Sequence, residues 1–133
     1  VIKLSDYKDK KNIVLYFYPK DDTPGCTLEA RQFTALANEF ADLDTVILGV
    51  SKDSCESHRA FMDKYDLDLK LLADTWGDVC ESYGVWQEKQ KNGETRMGIV
   101  RSSFVIDKLG RLQEVMYGVT ADGHAQEILD KLK

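Results

Sequence analysis

The sequence predicts an α/β domain in which a mixed β-sheet is flanked by helices. Three observations lead there. Short apolar runs rich in β-branched and aromatic residues alternate with stretches of helical periodicity. That alternation continues through most of the chain, which implies parallel strands joined by helical crossovers. Near the C-terminal end, two strand-like segments flank the turn Asp107-Lys108-Leu109-Gly110, which adds an antiparallel pair.

The elements follow in order. Ile13–Tyr18 (IVLYFY) is an apolar run suited to a buried strand, and it stops at Pro19. Lys20–Gly25 has the composition of a loop. From Thr27 the period becomes helical, with Leu28, Phe33, Leu36, Ala37 and Phe40 on one expected face. Thr45–Val50 (TVILGV) is a second buried strand. Ser51-Lys52-Asp53-Ser54 reads as a helix start, continued by Ala60, Phe61 and Tyr65. Leu69–Leu72 is a third strand and Asp78–Tyr83 a short helix. Gly98–Ile106 and Leu112–Tyr117 form the hairpin, and Ala125–Leu132 is the closing helix. The expected order is βαβαβαββα.

The 133 residues fit one domain, 1–133, long enough to bury a core without disulfide or metal staples. The net charge of −5, with no concentrated basic face, argues against a nucleic-acid partner. No apolar run reaches the roughly 18 residues of a membrane span, and no signal peptide opens the chain. Three cysteines form no disulfide-framework spacing, so free thiols in a reducing cytoplasm are expected.

The segment Pro19-Lys20-Asp21-Asp22-Thr23-Pro24-Gly25-Cys26 carries the strongest chemical signal. It leaves the carboxyl end of a central strand and enters the first turn of a helix, the edge where open α/β sheets place their sites. Cys26 therefore meets unpaired backbone N–H groups and the positive end of a helix dipole. A free thiol, with a pKa of about 8.5, is only about 3% thiolate at neutral pH. Lowering a thiol by about 2.5 units takes roughly 3.4 kcal/mol, and a helix start typically supplies about 0.3–1. A cation is needed as well, and Arg101 is the candidate. Even then, nucleophilicity falls as the thiolate fraction rises, and the net gain is about twofold. Most of the rate must come from stabilising charge on the substrate oxygens. Thr23, Arg101 and the N–H groups of Gly25 and Cys26 are placed for that. Pro19 and Pro24 lack N–H donors, stiffen the loop and exclude water. The competing reading, a buried cysteine that merely packs at a helix start, explains none of these neighbours.

Tyr16-Phe17-Tyr18-Pro19-Lys20-Asp21-Asp22-Thr23-Pro24-Gly25-Cys26-Thr27 resembles the signature of the bacterioferritin-comigratory, or Q-type, peroxiredoxins. It includes the general peroxiredoxin pattern Pro-x-x-x-Thr-x-x-Cys. Asp53-Ser54, Glu56-Ser57-His58, Tyr83-Gly84-Val85-Trp86 and Arg101-Ser102-Ser103-Phe104-Val105-Ile106-Asp107 are similar to later blocks of that family. The resemblance implies a thioredoxin-like fold, reduction of hydrogen peroxide and organic hydroperoxides, and no metal or bound cofactor. It implies the roles given above to Pro19, Thr23, Cys26 and Arg101, thioredoxin or another thiol as reductant, and a monomer or weak homodimer. It also leads us to expect a further N-terminal segment, roughly a β-hairpin, ahead of Val1.

One departure concerns the second half of a peroxidase cycle. Many members carry a resolving cysteine five residues after the first, where this chain has Arg31. Others carry it near Phe61 or Met62. Cys55, at the next helix start, and Cys80, in a short helix, are the internal candidates. A one-cysteine cycle with an external thiol is the leading expectation. Glu29, one turn after Cys26, either orients Arg101 or faces solvent. Trp86 and Phe17 either line the pocket or pack in the core. Cys55-Glu56-Ser57-His58 has the shape of half a zinc motif but no second half. A phosphatase-like Cys-x5-Arg loop would need arginine where Gln32 stands. A thioredoxin-fold redox sensor remains the non-enzyme alternative.

Overall fold

The computed structural model describes residues 4–91 and 93–133. A 3-10 turn, Leu4–Tyr7, precedes the first strand, β1 (Asn12–Phe17). Helices α1 (Pro24–Ala35) and α2 (Ala37–Asp42) lead to β2 (Thr45–Ser51). Helix α3 (Cys55–Tyr65) leads to β3 (Lys70–Ala73), followed by α4 (Asp78–Ser82). Strands β4 (Trp86–Lys91), β5 (Glu94–Ile99), β6 (Ser102–Ile106) and β7 (Leu112–Tyr117) precede α5 (His124–Leu132).

The central sheet runs β3-β2-β1-β6-β7. β1, β2 and β3 are parallel, and β6 and β7 join as the antiparallel pair. This is the mixed sheet that the alternation predicted, of the thioredoxin-like kind that the resemblance implies. β1 lies at its centre, and its alternation sorts the core into two layers. Val14, Tyr16 and Tyr18 pack with Cys26, Phe33, Phe61 and Ile128 on one face. Ile13, Leu15 and Phe17 pack with Cys80, Val85 and Phe104 on the other. No helix among the described residues is long and apolar enough to cross a membrane.

Four expectations need correction. The expected strand Gly98–Ile106 is two strands, broken at Val100 and Arg101. β5 pairs instead with β4 in a separate two-stranded ribbon. β4 (WQEKQK) was not expected, because it is polar and mostly exposed and so shows no apolar alternation. The usable signal was the dipeptide Asn92-Gly93, a strong two-residue hairpin marker. The long first helix also breaks, at Leu36, whose N–H is shared between the carbonyls of Gln32 and Phe33. No glycine or proline marks that break. Finally, α1 begins at Pro24 rather than Thr27, because proline is pre-organised for the first helical position. Its buried face is Cys26, Glu29, Ala30 and Phe33, and Leu28 is exposed.

One glycine sets the shape of the layer that holds Cys26. A β-carbon on Gly49 would lie 2.8 Å from both the Tyr16 ring and Leu71. Tyr16 therefore crosses over β2 with no clash and stacks on Phe33, their ring centroids 4.7 Å apart.

Candidate active site

The site forms where β1 hands over to α1. β1 ends at Phe17, and the N–H of Tyr18 still bonds the carbonyl of Val50. Pro19, half-buried, has no N–H to extend that ladder. Thr23 stands at the N-cap with extended backbone, but its side chain does not cap the helix. Its hydroxyl instead donates to the carbonyl of Lys20 at 2.8 Å. The first helical N–H groups, those of Gly25 and Cys26, are thereby left to face the site. With its proton committed to Lys20, the Thr23 oxygen presents lone pairs, so it can accept a hydrogen bond from a ligand.

Cys26 is the third residue of α1 and is 2% exposed. Arg101 reaches it from the break between β5 and β6. Its Nη2 lies 3.4 Å from the Cys26 sulfur, and its Nη1 donates to Glu29 Oε1 at 2.7 Å. The carbonyl of Arg101 accepts the N–H of Val119, which ties the break to the loop before α5. Gly25 provides the room for this approach.

Glu29 is fully buried. Burial pushes its pKa up to about 7, and the charge and hydrogen bond of Arg101 offset only part of that rise. Its second oxygen, Oε2, has no hydrogen-bond partner among the described residues. Burial opposes the charge on Arg101, but Glu29 and Cys26 outweigh it and hold the guanidinium pKa above its ordinary value. The Tyr16 phenol is raised well above its usual range by burial, then by Glu29 and Cys26, so it stays protonated. Glu29 therefore does not face solvent; it is buried against Arg101.

Sequence reasoning missed a second polar cluster, beneath the loop that carries Thr23. Asp21 Oδ2 accepts from Ser57 Oγ at 2.7 Å and lies 2.7 Å from His58 Nδ1. Asp21 Oδ1 accepts from Tyr18 Oη. The N–H of Asp21 donates to Asp53 Oδ2 at 2.8 Å, and Ser51 Oγ reaches the same oxygen. On the surface, Asp22 bonds Lys64 and Tyr65. The only hint was the period of β1, which sends Tyr18 toward Cys26, and the polar start of α3 in an otherwise apolar layer.

The other cysteines lie on two other helices. Cys55 is exposed at the first residue of α3. Cys80 is fully buried on the opposite face of the sheet. Burial, then the neighbouring Asp74 carboxylate, pushes its pKa up to about 12. Phe17 and Trp86 also belong to that opposite layer, so they are core residues and not pocket walls. The His58 ring bonds Asp21 and the Leu72 carbonyl.

A sulfur held against a guanidinium, two outward N–H groups and a hydroxyl acceptor can stabilise a thiolate and bind a small oxygen ligand beside it. The AhpC/TSA family model matches residues 1–115. A Bacillus subtilis protein named peroxiredoxin Bcp is 50% identical over 132 residues, covering 99% of this chain and 83% of that protein. A Coxiella burnetii protein named putative peroxiredoxin bcp is 44% identical, covering 99% of this chain and 87% of its own length. A Xylella fastidiosa PrxQ cysteine-to-serine variant superposes with a TM-score of 0.93 at 39% identity, covering 98% of this chain and 80% of that one. A Xanthomonas campestris bacterioferritin comigratory protein, solved to explain its alkyl peroxide reduction activity, gives 0.92 at 37% identity, covering 98% and 83%. The chain belongs to the AhpC/TSA family and, within it, to the bacterioferritin-comigratory, Q-type peroxiredoxins.

Proposed function

We propose that Cys26 is the nucleophile of a thiol peroxidase acting on hydrogen peroxide and organic hydroperoxides. The thiolate sulfur attacks the hydroxyl oxygen of the peroxide and the O–O bond breaks. The sulfur leaves as a sulfenic acid, two electrons oxidised. The other oxygen leaves as alkoxide or hydroxide and takes a proton from water. The single observation that carries this reading is the Arg101 fork, with one nitrogen on the sulfur and the other on Glu29. Arg101 and the N–H groups of Gly25 and Cys26 stabilise charge building on the peroxide oxygens. Thr23 accepts the peroxide O–H and so orients the attacked oxygen. Pro19 ends the β1 ladder and stiffens the loop.

We assign the second half of the cycle to an external thiol, such as thioredoxin. A disulfide needs Cα atoms within about 7 Å, and the sheet separates Cys26 from Cys80. Cys55 stands exposed at the start of another helix, open to thiols in solution. A first thiol displaces water from the sulfenic acid to form a mixed disulfide, and a second thiol returns Cys26 to its reduced state.

Stopped-flow mixing of reduced protein with hydrogen peroxide tests the first half. A rate no faster than that of a free thiolate, or retained peroxidase activity in Cys26→Ser, would overturn the assignment. Repeated turnover with a dithiol reductant separates an enzyme from a redox sensor, which oxidises once and stops.

A further inference from the structure

The cluster beneath the Thr23 loop has a definite charge state, and the geometry fixes it. His58 is 2% exposed. Its Nε2 lies 3.0 Å from the carbonyl of Leu72, which can only accept. Its Nδ1 lies 2.7 Å from Asp21 Oδ2. Tyr18 and Ser57 both donate to the Asp21 carboxyl, which is thereby an acceptor as well. Both ring nitrogens face acceptors, so both carry protons and the ring is an imidazolium. The third neighbour of Nδ1, Tyr18 Oη at 3.4 Å, offers a lone pair, since its own proton goes to Asp21.

The loop above is tied down from both sides. Asp22, between Asp21 and Thr23, turns the chain with a left-handed φ of 57°, a conformation aspartate adopts more readily than most L-residues. Asp21 is the inner anchor, through its carboxyl and its N–H, and Asp22 is the outer one, through Lys64 and Tyr65.

We propose that the buried His58 imidazolium is the positioning residue of the catalytic loop: paired with Asp21, it holds Lys20–Thr23 in the shape that aims the Thr23 hydroxyl at the site of Cys26. His58 touches neither sulfur nor substrate and acts through Asp21. The groups facing it are Tyr18 just after β1, Asp21 from the loop, Asp53 ahead of α3 and the Leu72 carbonyl of β3, with Ser57 of α3 on the far side of the Asp21 carboxyl. Burial opposes the ring's charge, but the Asp21 bond and charge, the Leu72 carbonyl and the Asp53 charge outweigh it, so its pKa lies above the ordinary 6.5. A raised histidine pKa means that the charge-dependent contribution is fully present below about pH 6.5 and is lost as pH rises through the folded value.

This inference rests on Cys26 as the peroxide-reducing residue, and the test keeps the two apart. The rate constant of reduced protein with hydrogen peroxide is measured by stopped flow from pH 6 to pH 9. Wild type is expected to show a falling limb on the alkaline side of neutrality. His58→Gln, whose amide still reaches the Leu72 carbonyl, should react about tenfold more slowly at pH 7 and lack that limb. Asp21→Asn removes the charge that favours the imidazolium, so its limb should move to lower pH. A purely structural role for His58 would not move the limb.

Nitrogen-15 shifts of the His58 ring in wild type give a readout that needs no variant. An imidazolium at pH 7 is expected. A neutral ring at pH 7, or a His58→Gln protein that keeps both the wild-type rate and the limb, overturns the proposal. If His58→Gln does not fold, a wild-type ring that titrates with no accompanying change in rate overturns it equally. If wild type fails to react with peroxide at all, the reading of Cys26 is what has failed.

Discussion

A β-carbon on Gly25 would lie 3.1 Å from Nη2 of Arg101, the same nitrogen that faces the Cys26 sulfur. The guanidinium has little room to retreat, because Glu29 holds its other nitrogen at 2.7 Å. The glycine is kept for space, since no left-handed φ is required of it. Gly25→Ala should therefore leave stability unchanged or raise it by up to about 1 kcal/mol, because alanine favours a helix. The peroxide rate constant should fall by about tenfold or more. Thermal melts paired with stopped-flow rates on one preparation check this, and an unimpaired rate would show that Arg101 has slack.

Arg101→Lys should lower the peroxide rate constant by about 10²-fold, in the range reported for removing one donor to a developing oxyanion. Lysine keeps the charge but cannot fork between Glu29 and the sulfur. The expected signature is a loss of reaction rate with little change in the far-ultraviolet circular dichroism.

Glu29 gives a stability prediction with a definite sign. Its folded pKa of about 7 lies above the ordinary 4.5, so the folded state favours the protonated carboxyl. That contribution is present below about pH 4.5 and is lost as pH rises through about 7. Glu29→Gln carries no such dependence. Relative to the variant, wild type should lose on the order of 3 kcal/mol between pH 4.5 and pH 8. Urea denaturation of both proteins across that range measures the gap, and a gap that does not change with pH would refute the assignment. The variant should also react more slowly with peroxide, because Arg101 loses its counter-charge.

Gly49→Ala should destabilise the fold by about 1–3 kcal/mol, the usual cost of overpacking a tight core. Tyr16 and Leu71 would each have to yield from 2.8 Å. Chemical denaturation with an unchanged m-value is the expected observation.

Thiol labelling separates the two spare cysteines. In native protein, iodoacetamide at pH 8 should modify exposed Cys55 and leave Cys80, which is buried and has a pKa near 12. Cys80 should label only after unfolding. Mass mapping of the adducts decides it, and early labelling of Cys80 would mean that α4 opens readily.

The sheet was legible because β1 and β2 are buried on both faces and carry the apolar runs Ile13–Phe17 and Val46–Val50. The β4–β5 ribbon was hidden for the opposite reason: its residues bury little, so no apolar period marks them. Cys26, Thr23 and Arg101 stood out because their chemistry clusters in short motifs, and the structure brings Cys26 and Arg101 into contact. Asp21 and His58 stood in separate motifs, and nothing local paired them, because they meet across 37 positions of sequence. Glu29 was ambiguous from sequence, because helical spacing places it near Cys26 without saying which way it faces.

The two-layered core has one more consequence. The same strand that carries Tyr16 toward Cys26 turns Phe17 toward Cys80, so the sheet acts as a wall between the two buried thiols. While the domain stays folded, Cys80 supplies no electrons to Cys26 through that wall. In the external-thiol cycle proposed above, each equivalent arrives by collision from solution. The tempo of repeated cycling then follows the concentration of donor thiol outside the protein, and at low donor the oxidised form accumulates.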